Sequence, residues 1–142
     1  MASLKQLAFG GDGTSSTGME LGLLGLRVFT GLAMALAHGV NKIPPPNGFV
    51  GAVEDLGFPS PTLFAWAAGI AELVGGLFLA AGFLTRFSAF FIFVTMLVAA
   101  FGTHGGDGFA EQEKALLFAA ACLPFLLAGC GRVGVDQLFR QS

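Results

Sequence analysis

Residues 61–84 read PTLFAWAAGIAELVGGLFLAAGFL, and no other stretch constrains the fold as strongly. An apolar run of about 20 residues is long enough to cross the hydrocarbon core of a bilayer as a helix. One ionisable residue, Glu72, stands near its middle. A carboxylate at that depth is costly, so other groups must hold it. Composition places the whole chain in the same class. It is 54% hydrophobic and 11% charged, where soluble proteins carry about 25% charged residues. A soluble chain of 142 residues has too little interior for so much apolar surface, so this is an integral membrane protein of one domain. The net charge of −2 argues against nucleic acid as a partner. Phe occurs 16 times and Tyr not at all, which leaves no Tyr for radical or proton chemistry.

Four apolar segments lie along the chain, at residues 21–40, 61–84, 87–102 and 110–129. The expected fold is all-α, a four-transmembrane-helix antiparallel bundle with a short interfacial helix between helices one and two. Residues 1–19, rich in Gly, Ser and Thr, are expected to form a flexible N-terminal tail with a short interfacial turn at 4–9. That tail has no apolar run long enough for a signal peptide. Residues 20–142 are expected to form the membrane domain. Pro44, Pro45 and Pro46 stop helix one. Phe49, Val50, Val53 and Leu56 then recur at helical spacing, as in an amphipathic helix lying on the membrane surface. GFLTR at 82–86 is a tight turn between antiparallel neighbours, and Asp136 is placed to cap a terminal helix over 137–140. Four spans put both termini on one side, with Lys5, Arg86, Arg132 and Arg140. The other side holds Lys42, Lys114 and the acids Glu54, Asp55, Asp107, Glu111 and Glu113. The positive-inside rule then makes both termini cytoplasmic.

The polar residues inside the spans are the candidates for chemistry. At ~100° per residue, Ala65, Ala68, Gly69, Gly75 and Gly76 share the face of Glu72, while Leu63, Ile70, Val74, Leu77 and Leu84 lie opposite. Small residues let a second helix approach closely in a membrane. Helix one has a matching stripe of Arg27, Gly31, Met34 and His38, with Phe29, Leu32 and Leu36 facing away. Counting inward from the helix ends puts Arg27 about 20 Å deep and Glu72 about 15 Å deep, so a buried Arg27–Glu72 ion pair is expected. Two roles remain open for it. It fixes helix register, or its carboxylate handles a proton beside a redox ligand such as a quinone. Helix three adds a stripe of Phe residues facing lipid, with Ser88, Thr95 and Ala99 turned inward.

A second group, His38, Lys42 and His104 with Asp107, Glu111 and Glu113, falls at the opposite end from the termini. Three roles are open there: ordinary interfacial polarity, proton or quinone-headgroup handling, and metal or haem ligation. Bis-His haem would need both rings to face one cavity, and the spacing is diagnostic of no metal site, so metal and haem are not expected. Cys122 and Cys130, eight apart, would lie about 12 Å from each other on a helix, beyond disulfide reach. Nothing matches the hydrolase or nucleotide-binding patterns.

In order and spacing these pieces resemble the DoxX family of small four-helix bacterial membrane proteins. The pieces are RVFTGL at 27–32, HGVNK at 38–42, AELVGG at 71–76, GFLTR at 82–86 and GCGRVGVD at 129–136. Cys130 and Gly134 stand where that family often has Pro and Ser. Some members resemble the small subunit of thiosulfate:quinone oxidoreductase, others are linked to membrane redox complexes, and many have no assigned activity. The resemblance implies a multi-pass protein of the bacterial inner (plasma) membrane. It implies association with a quinone-linked oxidoreductase, quinone as the ligand, and membrane or periplasmic redox subunits as partners beside the lipid bilayer. A homo-oligomer is also compatible with it. Glu72 and Arg27 would then handle protons, and His38, Lys42 and His104 would border the quinone headgroup. A non-catalytic accessory or scaffold subunit of a larger membrane complex is the alternative, and a small-solute carrier with a carboxylate relay is a third.

Overall fold

The structure is a computed structural model and describes residues 17–140. The described chain is helical, and three of its helices are long and apolar enough to cross a membrane. The first, α1, runs Thr17–Lys42: a regular α-helix to Ala33, a π-helical turn over Met34–Gly39 and a tighter 3-10 turn over Val40–Lys42. A short helix, α2, covers Asn47–Asp55. The second long helix, α3, is Pro61–Ala81, and the third, α4, is Thr85–Thr103, ending in a π-helical turn over Val98–Thr103. Then come α5, Phe109–Ala128, and the short α6, Asp136–Arg140. The turn and tail of residues 1–16 lie outside the described residues. Residues Thr17 to Met19, expected in the tail, are already helical.

Local chemistry sets the boundaries. Pro61 opens α3, where a missing N–H is no loss. Gly82, left-handed at φ 71°, closes it. The Phe83 N–H donates back to the Phe78 carbonyl at 2.9 Å, which makes a Schellman turn. The start of α4 is capped from far along the chain. Asp136 accepts from the Leu84 N–H at 2.7 Å, the Thr85 N–H at 2.9 Å and the Thr85 hydroxyl at 2.7 Å. Asp136 is thus the first residue of α6, and the cap it supplies belongs to α4.

Packing runs α1 on α3, α3 on α4, α4 on α5 and α5 back on α1. Met34, Leu79, Ile92, Met96, Cys122 and Phe125 fill the interior. The outward faces are those expected for lipid contact: Phe29 and Leu36 on α1, Leu63, Ile70 and Leu77 on α3, and Phe87, Phe90 and Phe101 on α4 are all exposed. Leu84 leaves this set because it sits in the α3–α4 turn at φ 43°.

Lipid tails are as apolar as leucine, so close packing rather than water exclusion holds such helices together. The α1–α3 contact shows it. A Cβ on Gly31 would lie 2.5 Å from the Ala80 nitrogen, and one on Gly39 would lie 2.5 Å from the Leu73 Cα. Backbone meets backbone there, and no side chain fits.

The short helix is where a membrane-surface helix was expected in sequence order, but its apolar face meets protein. Phe49, Val53 and Leu56 turn inward over a cavity between α3 and α4. An amphipathic pattern records an apolar neighbour and does not say whether that neighbour is lipid or protein.

Candidate cavity at Glu72

Under α2 lies a cavity of about 470 Å³. Its walls are small on one side, with Ala67, Ala68 and Ala71 of α3, and larger on the other, with Phe91, Val94 and Val98 of α4. Four polar side chains besides Glu72 reach it: Lys42, Thr95, Thr103 and His104. Thr95 donates to the Phe91 carbonyl at 2.8 Å, so its hydroxyl is already engaged.

Glu72 is fully buried, and its partner is Lys42, with Nζ 2.6 Å from Oε1. That is the short distance of a charge-assisted hydrogen bond. The lysine is 27% exposed and also lies 4.8 Å over the Phe49 ring, so one cation ties α1, α2 and α3 together. The other carboxylate oxygen, Oε2, is buried with no hydrogen-bond partner. An unpaired buried polar atom costs about 1–3 kcal/mol, and more when charged. A ligand presenting an O–H or N–H to it would recover that energy.

The expected Arg27–Glu72 pair does not form. The Arg27 guanidinium instead donates to the carbonyls of Cys130 and Val133, the latter at 2.7 Å, in the chain leaving α5. Register is the physical reason. Depths counted from helix ends assume that the ends are level. Here the Lys42 carbonyl lies against Gly69, about two turns inside the start of α3, and α2 occupies the step. Gly39 thus stands opposite Glu72 and Leu73. Arg27 is then about 18 Å away along α1. It reaches the other end, where a cation satisfies carbonyls left open after a helix C-terminus.

The second group divides. His104 joins Lys42 at the cavity, its Nδ1 2.9 Å from an Asp107 oxygen. The Gln112 amide donates to the His104 carbonyl at 2.9 Å and anchors this loop to α5. His38 turns away, edge-on to Phe118 of α5 with ring centroids 5.5 Å apart. The two histidines therefore do not face one cavity. Both cysteines are free and buried. Burial pushes the Cys130 thiol above its ordinary value, with Asp136 adding to the shift, so it is a poor nucleophile.

Comparison with known proteins places this arrangement. The DoxX family model matches residues 22–105, which takes in most of α1, all of α2 to α4 and every residue that lines the cavity. The chain belongs to the DoxX family. Relatives of this DoxX protein include an uncharacterised membrane protein of Mycobacterium tuberculosis, 30% identical over 79% of this chain and 77% of that protein. An uncharacterised protein of Haemophilus influenzae is 32% identical over 75% of this chain and 82% of its own. The inner membrane protein YphA of Escherichia coli is 30% identical over 75% and 84%. No solved structure matches the chain. The DoxX protein is thus a membrane protein whose apolar helices meet lipid.

Proposed function

We propose that this DoxX protein is the membrane subunit of a quinone-linked oxidoreductase and that the cavity under α2 takes the quinone or quinol head. The observation that carries this is Glu72 in the wall of an apolar cavity, with its Oε2 buried and without a hydrogen-bond partner. A volume of about 470 Å³ falls within the ~300–1,000 Å³ of ordinary ligand sites. Such sites combine apolar walls with a few convergent polar groups, which here are Glu72, Lys42 and His104.

A bound quinone would supply coupled electron and proton chemistry. The protein's own residues manage the proton. Glu72 accepts a hydrogen bond from a hydroxyl at Oε2 and, as that hydroxyl is oxidised, its proton. Lys42 orients the carboxylate through Oε1. His104, with Asp107 on its Nδ1, stands at the cavity as the next proton acceptor toward water. The electrons of that oxidation would pass to a partner redox subunit.

The same proposal includes the membrane placement. α5 spans as a fourth helix, its acidic first turns at the interface, and the four form an antiparallel bundle in the plasma membrane. Arg27 lies at the end that also holds Arg86 and Arg132, which strengthens the positive-inside case for cytoplasmic termini.

The test is quinone-dependent electron transfer in membranes, measured per inserted protein. Glu72→Gln inserts normally and loses about tenfold or more of the rate, since the amide cannot take the proton. Equal rates contradict the proposal. A second reading rests on the Lys42–Glu72 pair as a tie between α1 and α3 in an accessory subunit. In that case Glu72→Gln lowers the yield of assembled complex and leaves turnover per complex unchanged.

A further inference from the structure

The cavity at Glu72 has a neighbour. A more open groove of about 430 Å³ is lined by Leu56, Phe58, Leu97, Val98, Phe101 and Gly102, all apolar or glycine. Leu56, Phe58 and Val98 line both spaces. They form the sill between them. We propose that this groove seats the hydrocarbon tail of a single-chain membrane ligand whose polar head lies at Glu72, and that the ligand enters sideways from the bilayer over this sill. The proposal rests on the head site described above and adds the tail and the route.

Five observations support it. A cavity of about 470 Å³ accepts a ring-sized head, but a membrane-soluble ligand also carries a chain that must leave. The shared sill gives that chain a continuous apolar path. The outer wall, Phe101, is 63% exposed on the face of α4 turned to lipid, so the groove opens into hydrocarbon. The seam is also lightly closed. Leu56, at the end of α2, rests on Gly102, where an added Cβ would sit 3.1 Å from one leucine methyl and 3.4 Å from the other. Moving one leucine side chain widens it, with no backbone shift. The π-helical turn over Val98–Thr103 supplies Val98, Phe101 and Gly102 to this seam, and such turns are frequent at functional sites. The polar groups Lys42, Glu72 and His104 border the cavity and are absent from the groove.

The test titrates the purified full chain in detergent with a tail-less hydroquinone and with its decyl-tailed form. The proteins are wild type, Leu97→Trp, Gly102→Leu and Glu72→Gln. Micelle partitioning is common to all variants, so the ratio of the two affinities isolates the groove. Leu97→Trp, at a residue that lines the groove and not the cavity, weakens the decyl ligand about tenfold or more and leaves the tail-less ligand within about twofold. Gly102→Leu, which fills the seam from a second backbone position, gives the same selective loss and carries the test if the tryptophan variant does not fold. Glu72→Gln weakens both ligands alike. If both groove variants change the two ligands equally, or change neither, the tail groove is overturned. Unchanged affinity of the tail-less ligand for Glu72→Gln overturns the head site instead. No binding of either ligand to wild type overturns both.

Discussion

Lys42 and Glu72 meet at 2.6 Å with the carboxylate fully buried, and the pair is asymmetric in what each partner leaves behind. Lysine keeps contact with the Phe49 ring and some solvent, while Glu72 has one oxygen without a partner. Removing the lysine strands a buried charge, which typically destabilises by about 3–5 kcal/mol. Lys42→Met therefore lowers the denaturation midpoint of the protein in detergent micelles. Adding Glu72→Gln to Lys42→Met restores a good part of it, because no charge is then left unpaired. A double-mutant cycle reads the coupling directly. Additive losses would show that the two side chains do not form a coupled pair. The sequence showed that Glu72 needed other groups to hold it, and counting depths pointed to Arg27, with Lys42 at the far end of the same helix. It did not show which of these stands level with it.

That choice is made by the helix contact. α1 carries small residues at Gly31, Ala35 and Gly39, and α3 carries Gly69 and Gly76, with all five buried. Gly31 lies against Gly76 and Ala80, and Gly39 against Glu72 and Leu73. Aligning these two ladders antiparallel sets Lys42 beside Gly69, so the register was present in the sequence as spacing between small residues. Helix ends were the poorer guide, because α2 fills the step between the end of α1 and the start of α3. A Cβ at Gly39 would meet Leu73 backbone at 2.5 Å, whereas one at Gly25 would meet nothing within 4 Å. Gly39→Val accordingly forces the two helices apart and abolishes the folded, monodisperse species in size-exclusion chromatography. Gly25→Ala stabilises by about 0.5–1 kcal/mol, as expected for glycine replaced in a helix interior. A Gly39→Val variant as stable as wild type would refute this register.

At the scale of the molecule, helix number, helix faces and turns follow from hydrophobic period and from Pro and Gly positions, which is why they were legible. Long-range satisfaction of helix ends was not. Asp136 capping α4, and Arg27 serving the carbonyls after α5, depend on elements far apart in sequence meeting at one end of the fold. A cavity is less legible still, since it is defined by where side chains are missing. Here it arises because Ala67, Ala68 and Ala71 are too small to fill the space beneath α2. Polar residues gather accordingly, with Arg27 and Asp136 holding the end of the fold away from the cavity and Glu72, Lys42 and His104 meeting at it. Glu72 is the group proposed to meet the ligand. Infrared difference spectroscopy on the purified protein, recorded on adding hydroquinone, tests it most directly. A perturbed carboxyl band is expected in wild type and is missing in Glu72→Gln. An identical carboxyl signal in both proteins, or none in wild type with ligand bound, would contradict it.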